Sequence, residues 1–556
     1  MRVLALLAGA GLGLLAPGAG DAEAQTRQRS RLVEATIGDL QAALQAGRTS
    51  SKAVVQGYLD RIAAYDRRGP RLGSFLAVNP QALALAHIRD LERASGLAHG
   101  PLFGLPVLLK DNIDTVDLPT TAGSLALRVS VPPDDAFLVT KLRNAGAIVL
   151  GKASLTEFAN ALSNNMPAGY SSLGGFGFNP YDPRPNPAGD GRPVLTPGGS
   201  SSGSGIAVAA SLVTVAVGTE TSGSILSPGH QNGVVGIKPT VGLVSRDGVI
   251  PITADMDTPG PLARTVTDAA ILLGVLAGHD PADPATAACL VPGNCHDDYT
   301  VFLDRQALVG ARIGVPQNPY WFFGNLSSAE RDLLLAAIDV LRAEGAVVLL
   351  PYEIPNQAAL TDRRICDSYP PAAGCSTVML YGFRRDLDAY LAGLGPFAPI
   401  QSMADVIAFN EAHPLEALRY GQGFLRAAGQ MDLAPSSADT ARYVADRALD
   451  VALFRGALGQ AYAGPDTVPG TDDDLDALLF PSFVGSYAPA VAGYPSLVVP
   501  IGFRPPSGNV VNPRPVGMAF SGPAFSEPRL IALAYAYEQA TRHRRPPQST
   551  PELLAR

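Results

Sequence analysis

Residues 196–205 read TPGGSSSGSG and residues 218–227 read GTETSGSILS, with a stretch of small and β-branched residues between them. Two serine-and-glycine loops therefore flank one packed element. Val213–Gly218 has strand character, Thr219–Ser224 is a turn of small residues, and Ser227-Pro228 is a helix start. Consecutive backbone N–H groups in such a turn can converge on a developing oxyanion, and small side chains let a carbonyl approach.

Upstream, GLPVLLKDN carries an apolar run, Leu105–Leu109, that ends on Lys110. The chain has five lysines, at 52, 110, 141, 152 and 238, among 42 basic residues, so almost every cation is arginine. Arginine stays protonated, whereas a buried lysine can release its proton and act as a base. The apolar run delivers Lys110 to the interior. Lys110 and the two loop serines are thus the parts of a hydrolase that activates serine with an amine.

Other serine chemistries fit less well. Gly199–Gly203 formally matches the GxSxG elbow, but GDGRPVLTPG before it is too rich in Gly and Pro to form the required strand. None of the downstream histidines sits in a recognisable setting. No lysine has a serine three residues before it, which removes the SxxK arrangement. HExxH and GxxxxGK[ST] are absent, so metalloprotease and P-loop readings lapse. No metal and no cofactor is expected.

The flanking chain alternates helix and strand. Ile37–Ala46 is a helix capped by Thr36, and a second starts behind Thr49-Ser50-Ser51. Ala136–Ala145 is helical, Gly146 stops it, and Ala147–Leu150 is a buried strand. Ser327 and Glu330 form a capping box for a helix that runs to Glu344, before a strand at Ala346–Leu350. Residues 479–503 return to strand and Ser526–Arg542 closes as a helix. The pattern is that of an α/β fold. Residues 167–199 are an irregular Pro/Gly/Asn loop that leads into the serine segment and is expected to line the site. Residues 376–460 are a helical insertion.

Composition bounds the rest. The 556 residues are 47% apolar and 17% charged, enough for a large core, and net charge −8 with no long basic run argues against nucleic acid. Residues 1–24 read as a secretory signal cleaved after Ala24, leaving 25–556 as one domain, exported to the periplasm or medium. No later segment is long and apolar enough to span a membrane. In that compartment Cys289/Cys295 and Cys366/Cys375, six and nine residues apart, read as two local disulfides, one of three possible connectivities.

The motifs resemble the amidase signature family. GLPVLLKDN, TPGGSSSGSG, GTETSGSILSPGHQNGVVGIKPTVGLVSRDGVIP and DTPGPLARTVTDAA match its core in order, at about 100–270, and AGYPSLVVPIGF and PRLIALAYAYEQATR match its closing segments. The resemblance implies a mixed central sheet covered by helices on both faces. It implies Lys110 as base, Ser200 as bridging serine held by a cis peptide, and Ser224 as nucleophile. The amides of Thr221, Ser222, Gly223 and Ser224 would form the oxyanion hole. Asn164, Asn165 and Met166 stand where relatives line the acyl pocket. The family often has Asp where this chain has Glu220. Asp257 and Arg264 are expected to hold loops by hydrogen bonds, and Lys238 to support the loop after the nucleophile. The long 167–199 loop and VGLVSRDG are most similar to bacterial peptide amidases, which implies a peptide-amide or other small amide substrate. Aryl-acylamidases and carbamate hydrolases share the core, and a non-catalytic amide-binding protein is the remote alternative. Neither nucleic acid nor membrane is expected as a partner, and the state is monomer or homodimer.

Overall fold

The computed structural model describes residues 32–187, 189–317 and 326–553. The expected signal at 1–24 lies outside the described residues. From the first part of the chain come β1 (Phe75–Val78), β2 (Pro106–Lys110) and β3 (Ile148–Ala153), then a short ladder of β4 (Tyr170–Ser171) with β5 (Gly175–Phe176). The serine region contributes β6 (Val215–Glu220), β7 (Val235–Lys238) and β8 (Thr258–Ala263). The remainder gives β9 (Arg312–Pro316), β10 (Val347–Tyr352), β11 (Ala477–Pro481), β12 (Ser496–Arg504) and β13 (Arg514–Ser521).

Apart from β4 and β5, these strands join one mixed sheet in the order β1-β3-β2-β6-β8-β7-β12-β13-β11-β9-β10. Strands β3, β2 and β6 run parallel, as do β11, β9 and β10, and the other pairings are antiparallel. Strands β2 and β6 are buried along their whole length, which is why PVLL and VAV read as unbroken apolar runs before each strand ends on polar residues. In the register Leu109 lies beside Lys152 on one side and Val217 on the other. The carboxyl ends of β2 and β6 therefore finish together, the place where open α/β sheets build their sites.

Helices cover both faces. Ser202–Ala209 packs on β2, β3, β6 and β8 and against Leu226–Asn232. On the other side of β6 and β8 lies Val266–Leu276, backed by Phe137–Asn144 and Glu527–Thr541. The stretch between the serine loops, expected to be one packed element, is two: a helix with all eight residues buried, and then β6. Gly203 of that helix sits so close to β3 that a Cβ there would lie 2.4 Å from the Ser74 carbonyl and 2.5 Å from the Ser154 amide. Strand β6 runs two residues further than its sequence indicates, so Thr219 and Glu220 belong to the strand end.

The expected helices at 37–46, 136–145, 327–344 and 526–542 form within a residue or two of their predicted bounds. Thr36 makes a capping box with Asp39, and Ser327 caps the helix Ser328–Ala343 by accepting from the Glu330 amide at 3.3 Å. Helices at 378–393, 403–412, 423–429 and 438–462 pack around a cluster that includes Phe383, Leu387, Met403 and Phe424, with Phe158 and Leu162 from the sheet domain. Both local disulfides form, Cys289–Cys295 and Cys366–Cys375, with Cα atoms 5.0 and 5.1 Å apart. The second closes a loop fixed by Arg363, which bridges Asp446 at 2.8 Å and Asp450 at 2.5 Å.

Candidate active site

Lys110 is the last residue of β2 and fully buried. Its Nζ donates to Ser200 Oγ at 2.8 Å, to Thr219 Oγ1 at 2.9 Å and to the Thr219 carbonyl at 3.1 Å. Burial drives its pKa down from the ordinary lysine value to about 7, against the opposing pull of Asp257 and Glu220. The carbonyl of Thr219 can only accept, so two N–H groups can point at Thr219. The third contact, to Ser200, is then where a neutral amine would turn its lone pair.

Ser200 enters through a tight loop. The Gly199–Ser200 peptide is cis. Gly198 has φ +71°, and a Cβ there would meet the backbone of Ser227 and Pro228 at 2.8 Å, so only glycine fits. The two serine loops are tied together by the Ser201 amide, which donates to the Ser224 carbonyl at 3.1 Å. Ser201 Oγ also donates to the Thr219 carbonyl and accepts from its amide, at 3.1 and 3.2 Å.

Ser224 is buried in the turn after β6. Glu220 shapes that turn. Its carboxylate accepts from the amides of Gly223 and Ile225, both at 2.6 Å, and of Leu226 at 3.0 Å. Thr221 donates its hydroxyl to Asp257, whose carboxylate also accepts from the amides of Ile252 and Thr253 at 2.7 and 2.9 Å. Burial raises Asp257 to about 6. One expectation needs correcting. The Gly223 amide, placed in the oxyanion hole by resemblance, is already taken by Glu220, whose reach lets it fold back over the turn. Among the described residues the amides of Thr221, Ser222 and Ser224 have no acceptor, and Ser224 Oγ has no hydrogen-bond partner.

A buried amine, a serine in contact with it and a second serine in a turn of unpaired amides can activate a hydroxyl for acyl transfer. The Amidase family model matches residues 53–531.

The chain belongs to the amidase signature family.

Among its relatives is a probable amidase of Arabidopsis thaliana, 40% identical over 93% of this chain and 91% of that protein. The native peptide amidase of Stenotrophomonas maltophilia, solved by X-ray, is 44% identical with a TM-score of 0.78, covering 93% of this chain and 99% of that one. The crystal structure of an amidase family protein from Bacillus anthracis is 32% identical with a TM-score of 0.82, covering 95% of both chains. The protein is an amide hydrolase with the mixed-sheet fold of this family.

In this amidase the remaining expected residues separate into two groups. Arg264 donates to the carbonyls of Val208 and Val213 at 3.1 and 2.8 Å and to that of Ala35, holding loops as anticipated. Lys238 donates to the Tyr494 carbonyl at 2.7 Å and so ties β7 to the chain entering β12. Asn164 and Asn165 are exposed, with Asn164 donating to Asp367 at 3.4 Å, and Met166 packs against the insertion's apolar cluster. Asn164 and Asn165 line a groove of the insertion together with Asp367 and Phe424. The 167–199 loop does run beside the site: a Cβ on Gly199 would lie 3.2 Å from Ala168 Cβ. Two contributors escaped the sequence reading. Thr219 and Asn112 complete the lysine's surroundings, the Asn112 amide donating to Thr219 Oγ1 at 3.0 Å. Asn112 lies in the turn after β2, where strand alternation no longer indicates which way a side chain points.

Proposed function

We propose that this amidase removes the C-terminal amide of peptides, or deamidates related small carboxamides, by acyl transfer to Ser224. The observation that carries the reading is the buried Lys110 amine, 2.8 Å from Ser200 Oγ and with its pKa brought down to about 7. As the Ser224 oxygen attacks the carbonyl carbon, its proton passes to Ser200 while the Ser200 proton passes to Lys110. The unpaired amides of the turn, from among Thr221, Ser222 and Ser224, receive the oxyanion, in a turn that Glu220 holds. Collapse returns the proton through Ser200 to the leaving nitrogen, and ammonia departs. Water then repeats the relay on the ester and releases the acid. The likeness to the Stenotrophomonas peptide amidase supports the substrate class.

The same reading has an exported, single-domain enzyme beginning at Gln25 and working as monomer or homodimer. Two disulfides support that compartment. Mass spectrometry of products from peptide amides, anilides and carbamates tests the activity. Conversion of peptide amides to acids with internal bonds intact is the expected result. Turnover of anilides or carbamates alone would overturn the substrate class.

A further inference from the structure

Between β11 and the helix Tyr487–Ala492 the chain makes a tight turn, Ser482–Ser486, that abuts the turn of Ser224. A Cβ on Gly223 would lie 3.3 Å from Ser486 Oγ and 3.8 Å from ring carbon Cδ2 of Phe483. The turn is anchored. The Ser482 amide donates to the Gly517 carbonyl at 2.9 Å, and the Ser486 amide donates to the Phe483 carbonyl at 3.1 Å. Gly485, at φ +90°, would place a Cβ 2.5 Å from the Phe480 ring, so the backbone is pressed against the core.

Phe483 is also braced laterally. Its ring meets that of His230 edge-on, centroids 6.1 Å apart. His230 belongs to the helix that follows Ser224, and its Nδ1 accepts from the Gly517 amide at 2.9 Å. Burial lowers its pKa to about 4, so the brace is a neutral imidazole at working pH. Even so, 37% of Phe483 is exposed. A single exposed aromatic residue needs no explanation by itself. This one is held in place beside Gly223, the residue before the attacking serine.

We propose that Phe483 is a specificity-determining residue whose ring forms an apolar wall for the side chain of the residue carrying the scissile amide. The inference rests on the acyl-transfer reading above. Deamidation releases only ammonia, so substrate discrimination has to come from contacts on the acyl side. A fixed ring beside the nucleophile supplies apolar contact to a large side chain and nothing to glycine.

The test compares kcat/KM for peptide amides ending in Phe, Leu or Gly amide, using wild type, Phe483→Ala and Phe483→Leu. For Phe483→Ala the values for Phe and Leu amides should fall about tenfold or more, with the Gly amide within about twofold. Phe483→Leu should restore most of the Leu-amide value, and it keeps the test available if the alanine variant folds poorly. Equal losses on all three substrates would make the ring a structural prop, and unchanged ratios would remove it from the pocket. Either result overturns the proposal while leaving deamidation intact. A wild type that deamidates none of the three would overturn the functional reading and this inference with it.

Discussion

An amine removed from water holds its proton only where other charges compensate, and for Lys110 the loss of water outweighs Asp257 and Glu220. The sign of the consequence is fixed. Below about pH 7 the amine is protonated and cannot accept from Ser200; above it the lone pair is free. We expect kcat/KM to rise with pH through about 7 and then level off. A limb near ~6.5 abolished by a histidine substitution would point to another base. Lys110→Arg keeps the charge but cannot deprotonate, so it should be as inactive as Lys110→Ala, and turnover within about tenfold of wild type would end the lysine assignment. Ser224→Ala should cost on the order of 10⁵–10⁶-fold while folding normally. Ser200→Ala should cost less, because a water can partly replace a bridging hydroxyl. Single-turnover assays on the purified variants separate these cases.

At the level of elements, the two serines are placed by the ends of one short helix and one strand. Gly203 lets that helix lie on β3, and Gly203→Ala would drive a methyl into backbone that cannot give way. We expect it to lower stability by about 1–3 kcal/mol or more and to reduce activity as Ser200 shifts, read from urea unfolding and kcat on one preparation. Much of this was legible. Lys110 with a serine in each loop, the small-residue turn and the capped helices follow from local spacing, while the choice of Ser200 and Ser224 within those loops is what the family resemblance implies. The helix Ser202–Ala209 was not legible as a helix, because SGSGIAVA has poor intrinsic propensity and is helical through burial on every side. The partner of the Gly223 amide was equally hidden, since it depends on how far the Glu220 side chain reaches in space. Asn164 and Asn165 line a groove beside the helical insertion, a placement that depends on residues distant in sequence and so was not legible from local spacing.

Across the whole molecule, buried ionisable groups set how stability depends on pH. Asp114 and Glu157, each raised to about 7 by burial, and Asp257, raised to about 6, keep protons that the unfolded chain releases near ~pH 4. Over that interval the folded state binds more protons, so stability falls as pH rises. Lys110 and Lys238, lowered to about 7 and 8, have already lost protons that the unfolded chain keeps to about pH 10, so stability then climbs. Their combined effect is a shallow minimum of Tm near about pH 7–8, checked by calorimetry across about pH 4–10. A curve rising steadily through neutrality would contradict it. Closing loops of six and nine residues, the disulfides should each contribute about 2–3 kcal/mol in the chain-entropy model, seen as a lower Tm for Cys366→Ser/Cys375→Ser. The helix Ser202–Ala209, walled in by strands and a second helix, has a practical meaning for protein engineers. Mutant libraries aimed at residues 198–232 would return mostly unfolded protein, because nearly every position there is also a packing position. Variation aimed at what the enzyme accepts belongs instead at Phe483, whose ring is partly exposed beside Gly223 while the backbone of its turn stays fixed.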